Sequence, residues 1–375
     1  MKLLATIDTG QAFDNLLCSQ DNSELIGLKA NSVEALNLTS GSLDRELFYP
    51  IGFEFKVEDI IETDSKRPLI VHKNMPCDVS FFDFHSKSIL FNLQSEPDPN
   101  TYRQDDYEGF FVFDRGIVLG WRPHLDFSVV YDSILCKQLS SISWIPIFRP
   151  KLHPSKSVLA TLQFGAGHTP ITFIDTSNFT RIRLDFDPFY NVYAYEFSPD
   201  GSRIAAIYGT LDSPRSDEYA VYQVLFTFPI FSPLFIQKCI IDPRQIVADN
   251  RLENAGALPT HKVADKMVAS SLAFNTSGSS VYFPDSEGFI TEVDTYRGDI
   301  IHTWQAHSNP ITQLVAHHKF CLLISHDISG QIRIWKYIDT QKHNQTIVDP
   351  CPTLKELASK SEKGYVDLRP HMFKV

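Results

Sequence analysis

A repeat written in strands, rather than in residue identities, constrains this chain most. VASSLAFN (268–275) alternates apolar and polar residues, TSGS turns, and SVYFPDS alternates again. EG turns, FITEVDTY makes a third run, RGD turns, and IIHTWQAH makes a fourth. Four period-two runs between Gly, Asp and Ser turns, within about forty residues, predict one small antiparallel sheet. The next unit, PITQLVAHH, FCLLISH, DISG and QIRIWKY, stops after three strands.

Five further units precede these two. They begin near residues 12 (FDNLLCSQDNS), 55 (FKVEDIIETDSKR), 108 (EGFFVFDRG), 146 (PIFRPKLHPSK) and 191 (NVYAYEFSPDG). The count is seven, with the last unit one strand short, and MKLLATID at the start is an unassigned strand of the right length. Placing it on the outside of the seventh unit closes a ring. A four-stranded sheet cannot bury both faces alone, so each must stack on its neighbours until the circle shuts. The alternatives are a pair of β-sandwiches or an irregular all-β domain, and six or eight units if the second and third are divided differently.

The stretch AHSNPITQL…LLISHDISGQIRIWKY resembles a WD repeat. His307, Ser325, Gly330 and Trp335 fall on the family pattern, while Ala306, Ser329 and Lys336 replace its Gly, turn Asp and terminal Asp. The resemblance implies a buried His–Ser–Asp–Trp hydrogen-bond network, which the loss of the turn Asp leaves incomplete in this unit. In the preceding unit Glu287-Gly288 and Val293-Asp294 match the same positions without the Trp. HPSKSVLA and SPDGSRIAA resemble the turn after the family's first strand. The implied fold is all-β: a seven-bladed WD-repeat-type β-propeller over 1–337, closed by the N-terminal strand joining the last blade. A short C-terminal extension, 338–375, follows, with TLKELASKSEK (353–363) as a helix-like piece in which Thr353 and Glu356 form a capping box.

Composition agrees with strands and turns: Phe 28, Tyr 14 and Pro 22 stand beside Met 4. The aromatic surplus is expected between stacked blades. A net charge of −11 argues against bulk attraction to nucleic acid or an anionic membrane. The six cysteines, at 18, 77, 136, 239, 321 and 351, form no Cys-x-x-Cys and read as reduced thiols of an intracellular protein, cytoplasmic or nuclear. The apolar start is too short for a secretory signal, so the Asn-x-Ser/Thr matches at Asn37, Asn178, Asn275 and Asn344 are expected to be incidental.

Departures from a repeat carry its individuality. Three long ones are expected on one side of the ring: the acidic 94–109, 208–218, and 242–266 with Arg244, Arg251, His261, Lys262 and Lys266. The tail ends on Tyr365, Val366, Leu368, Met372, Phe373 and Val375, more apolar than a solvated end requires. Arg244, Arg251, Lys262, Tyr365, Leu368 and Phe373 are therefore the candidate partner-binding residues, against the plainer readings of a solvated loop and a tail folded back on the rim.

No catalytic or cofactor motif is present: no Gly-x-Ser-x-Gly, His-Glu-x-x-His, EF-hand loop or Gly-x-Gly-x-x-Gly. GAGHTP (165–170) lacks the Lys and following helix of a phosphate loop. Phe113-Asp114-Arg115-Gly116 departs from the Phe-Arg-Arg-Gly of lipid-binding propellers, and Trp335-Lys336-Tyr337-Ile338 departs from the Trp-Asp-x-Arg of ubiquitin-ligase receptors. The expected function is a non-catalytic platform within an intracellular multiprotein complex, with other proteins as partners. No cofactor, metal, membrane, nucleic acid or small-molecule substrate is expected. The alternative, an enzyme or small-molecule binder using the central channel, is disfavoured by first strands such as SSLAF, PITQLV and YAYEF, which read as small and apolar with isolated polar groups.

Overall fold

The computed structural model describes residues 1–337 apart from 20–23, 30–31, 39–42, 45–55, 75–77, 94–106, 123–126, 144, 146, 163–170, 183–189, 212–218, 228–270, 286 and 296–299. These residues form an all-β protein of seven small antiparallel sheets, consistent with a β-propeller. Strand β1 (Lys2–Asp8) leaves the start of the chain and joins the last sheet. Sheet one is β2 (Asn15–Ser19), β3 (Glu24–Lys29), β4 (Ser32–Asn37) and β5 (Leu43–Asp44). Sheet two is β6 (Lys56–Glu62), β7 (Pro68–Asn74), β8 (Asp78–Asp83) and β9 (Ile89–Leu93). Sheet three is β10 (Glu108–Val112), β11 (Ile117–Arg122), β12 (Phe127–Asp132) and β13 (Lys137–Ser143). Sheet four is β14 (Phe148–Leu152), β15 (Val158–Leu162), β16 (Ile171–Asp175) and β17 (Arg181–Ile182). Sheet five is β18 (Tyr190–Phe197), β19 (Arg203–Leu211) and β20 (Tyr219–Thr227). Sheet six is β21 (Ala273–Phe274), β22 (Ser280–Pro284), β23 (Phe289–Asp294) and β24 (Ile300–Gln305). Sheet seven is β25 (Ile311–His317), β26 (Leu322–Asp327) and β27 (Gln331–Lys336), with β1 as its outer strand.

Sheets one to six are simple meanders in which consecutive strands pair antiparallel, and sheet seven is a meander of β25 to β27 to which β1 adds from the start of the chain. The fourth strand expected in unit five, PLFIQKCIID (233–242), lies outside the described residues. The departure 208–218 is shorter than expected. β19 continues to Leu211 and pairs Leu211 with Tyr219, because aromatic and β-branched residues prolong the ladder where a loop was expected.

The sheets pack in chain order, and the circuit returns to its start. Ile26, Leu28 and Val33 of sheet one meet Ile60 and Ile70 of sheet two. Leu69, Val71 and Phe81 meet Phe110 and Val118 of sheet three, with Phe81 edge-on to Phe110 at 5.4 Å. Phe111, Leu119 and Val130 meet Leu159 and Ile174 of sheet four. The Tyr195 hydroxyl of sheet five donates to the Arg149 carbonyl of sheet four at 2.8 Å. The Gly278 turn of sheet six rests on Ser198 and Pro199 of sheet five. Tyr282 and Ile290 meet Leu314, Leu323 and Trp335 of sheet seven. Finally Leu322, Ile324, Ile332 and Ile334 of sheet seven meet Leu16, Leu25 and Leu36 of sheet one. The first strands alone trace the same loop, since β2, β6, β10, β14, β18, β21 and β25 each neighbour the next and β25 neighbours β2. Among the described residues, rings such as Phe81, Phe110 and Tyr282 lie between sheets, where flat rings fill the space left by two twisted surfaces.

Strand β1 pairs antiparallel with β27 from Lys2↔Lys336 to Asp8↔Gln331, with one bulge between Leu3 and Ala5. The chain then crosses to sheet one past Gly330. That glycine has φ +90°, and a β-carbon on it would strike the Gln11 backbone. Gly330→Ala is expected to cost about 1–2 kcal/mol for the left-handed backbone alone. The clash with the crossover adds to this, and urea unfolding measures the sum.

Candidate functional site

A buried hydrogen-bond relay joins strands of sheet seven to His307 in the link from sheet six. The Trp335 indole N–H donates to Ser325 Oγ at 2.9 Å, and Ser325 Oγ lies 2.7 Å from His307 Nε2. His307 Nδ1 lies 3.1 Å from Asp327 Oδ2. An ionised Asp327 requires the histidine proton on Nδ1, so Nε2 accepts from the serine hydroxyl. The network expected to be incomplete is therefore closed, by a carboxylate two residues before the expected turn position. Asp327 reaches it because the turn folds around its side chain: Oδ1 accepts from Ser329 N (3.0 Å), Ser329 Oγ (2.6 Å) and Gln331 N (2.9 Å). Sheet six repeats this local chemistry, with Asp285 accepting from Glu287 N and Phe289 N, and Gly288 at φ +85°. The shared Asp-x-x-Gly turn (DSEG, DISG) was the available signal for Asp327.

Ser325, His307 and Asp327 are arranged as a nucleophile, base and orienting acid would be. They are 0%, 1% and 1% exposed, so the serine oxygen is closed off from solvent. Burial lowers the His307 pKa, outweighing the pull of Asp327, and keeps the imidazole neutral. Burial pushes the Asp327 carboxyl up, but the bonds from Ser329 and Gln331 and the nearby His307 hold it below the usual carboxylate range.

Several first strands and the turns after them carry charged side chains. Lys151 of β14 pairs with Glu196 of β18 at 2.7 Å. Glu62 of β6 pairs with Lys66 in the turn after it at 3.1 Å, and Asp64 pairs with Lys156 of sheet four at 3.6 Å. The Lys66 pKa is raised, first by Glu62 and further by Glu196, so charges from sheets two, four and five feel one another at the same end of the strand circle. These charges lie on FRPKL and at the end of KVEDIIE, strands other than those read as small and apolar, and on Glu196, an isolated polar group of YAYEF. At the other end Asn15 donates to Asp59 at 2.8 Å.

Among the described residues no group of three or more His, Cys, Asp or Glu side chains is placed to hold a metal ion. Cys18, Cys136 and Cys321 carry free thiols, and burial raises the Cys18 pKa. The candidate partner-binding residues Arg244, Arg251, Lys262, Tyr365, Leu368 and Phe373 lie outside the described residues. So do GAGHTP, the capping box at Thr353 and most of 94–109. No protein-family model matches the chain, and no curated protein matches it.

Proposed function

We propose that residues 1–337 are a seven-bladed propeller of the WD-repeat kind, with 338–375 as an extension, and that the protein is a non-catalytic platform within an intracellular multiprotein complex. The observation that carries this reading is the closed circuit of seven sheets, with the two ends of the ring paired through β1 and β27. Such a frame holds its connecting segments at fixed positions, so a partner orders little on binding. The buried Trp335–Ser325–His307–Asp327 relay adds support, since it ties the link from sheet six to the strands of sheet seven. The segments 242–266 and 364–375 supply the contacts, through basic residues spaced by apolar ones and through an apolar terminus. Arg251→Ala and Phe373→Ala are expected each to weaken capture of protein partners about ten-fold or more while leaving the unfolding midpoint unchanged. Affinity purification with quantitative mass spectrometry measures this. Full recovery of the same partners by both variants ends the assignment of these two segments.

The charged end of the strand circle supports a second reading, a small polar ligand held at the centre by Lys66, Lys151 and Lys156. A thermal-shift screen of polar metabolites, repeated on Lys151→Ala, separates the two: a stabilising compound whose effect is lost in the variant favours the binder.

A further inference from the structure

The segment between β1 and β2, residues 9–14, carries the chain from sheet seven to sheet one and is tied to both sheets by specific bonds. Thr9 N and Thr9 Oγ1 both donate to the Gly330 carbonyl, at 3.1 and 2.7 Å. The buried Lys29 ammonium donates to the Thr9 carbonyl at 2.9 Å, pairs with Glu34 at 3.2 Å and lies 4.6 Å from the Phe13 ring centre. Gln313 donates to the Asp14 carbonyl at 2.9 Å. Asp14 N donates to the Leu28 carbonyl at 2.8 Å, and a further tie is made by a histidine. Phe13 N donates to His326 Nε2 at 3.3 Å, and the two rings meet at 5.5 Å.

His326 can make this bond in one protonation state only. Its Nδ1 lies 2.7 Å from Thr312 Oγ1, and that hydroxyl donates to the His326 carbonyl at 3.1 Å. The hydroxyl has a single proton, so toward Nδ1 it accepts, and Nδ1 carries the ring proton. Nε2 is left as the acceptor that Phe13 requires. A second proton would set two N–H donors against each other in a site that is 0% exposed. The charged and titratable groups facing the ring are Asp327 on its own strand, His307 ahead of β25, and Lys29 with its partner Glu34 from sheet one. Asp327 favours the proton but is already engaged by His307, Asn309, Ser329 and Gln331, while Lys29 and His307 oppose it.

We propose that this crossover is a proton-sensitive latch, in which protonation of His326 releases Phe13 and opens the junction between sheets seven and one before any other junction. Burial is the largest influence on the His326 pKa and holds it at about 4, against an ordinary value of 6.5. The opened state therefore binds the proton more readily than the closed one. The latch is intact above pH 6.5 and weakens as pH falls from there toward 4. Linkage between those two values makes opening about ten-fold more frequent at pH 5.5 than at pH 7.5.

Amide hydrogen exchange on the full chain, corrected for intrinsic rates, tests this at the two pH values. Protection of Thr9 and Phe13 is expected to fall about ten-fold on acidification, with Val112 and Leu119 at the junction of sheets two, three and four holding theirs. His326→Gln, whose amide oxygen still accepts from Phe13, is expected to show no such fall. An equal loss of protection at every junction overturns the proposal, as does an unchanged pH response in His326→Gln. Should that variant not fold, the wild-type chain decides alone. The Phe13 amide must lose protection selectively between pH 6.5 and 4, and a flat profile there is an equally clear refutation.

Discussion

Asp327→Ala is expected to lower unfolding free energy by about 3 kcal/mol or more at pH 7, measured by urea denaturation. The carboxylate is buried and accepts from His307, Asn309, Ser329 and Gln331, so its removal strands several donors at once. Each buried donor left without a partner costs about 1–3 kcal/mol, moderated here because Ser329 is exposed and Gln331 half-buried, so water can reach them. Asp327→Asn is expected to recover part of the loss. One amide oxygen can still serve the turn, while the amide nitrogen opposes the His307 proton. The pH dependence follows from a carboxyl held below its ordinary value. Its contribution is fully present above that ordinary value, near pH 3.8, and is lost as pH falls through the folded-state value. The gap between wild type and Asp327→Ala should therefore close only in strong acid.

Trp335→Ala is expected to cost about 3–5 kcal/mol, the usual range for deleting a buried indole. The ring is 7% exposed, lies edge-on to Trp304 at 5.8 Å and packs with Tyr282, Leu314 and Leu323. Trp335→Phe keeps most of this contact and loses only the bond to Ser325, so about 1 kcal/mol is expected. Because Ser325 joins Trp335 to His307, the double variant Trp335→Phe, Asp327→Ala should fall short of additivity by about 0.5 kcal/mol or more. Strict additivity would mean that the relay is not one unit.

The units were legible in the sequence where period-two alternation met turn chemistry. SVYFPDS, EG and FITEVDTY became β22, the Gly288 turn and β23 with little to adjust. The closing strand was legible through arithmetic, since a three-stranded last unit and an orphan first strand have one common solution. Asp327 was not, because matching by position assigns the acid to residue 329. The physics asks only that a carboxylate in the turn reach His307, and the side chain of a turn-initiating Asp does so. The charges on β6, β14 and β18 were missed for a related reason. Alternation says which residues leave the core, but not that strands far apart in the chain will gather theirs at one end of a circle. The loop and tail residues have only their chemistry to speak for them.

The pairing of β1 with β27 also bears on how the chain is made. The Thr9–Gly330 bond joins residues 321 positions apart, so Thr9 is synthesised long before its partner. At about 5–20 residues per second, β1 leaves the ribosome roughly 15–65 s before its partner exists. Throughout that interval it is an apolar-bearing strand with no ladder, since Leu3 and Leu4 stay exposed even when it is paired. Six sheets can stack as they emerge, but the last junction waits for β27, and closing so long a loop carries the entropic cost that slows long-range pairing. A nascent-chain binder that shields the first ten residues would speed maturation without touching the finished ring.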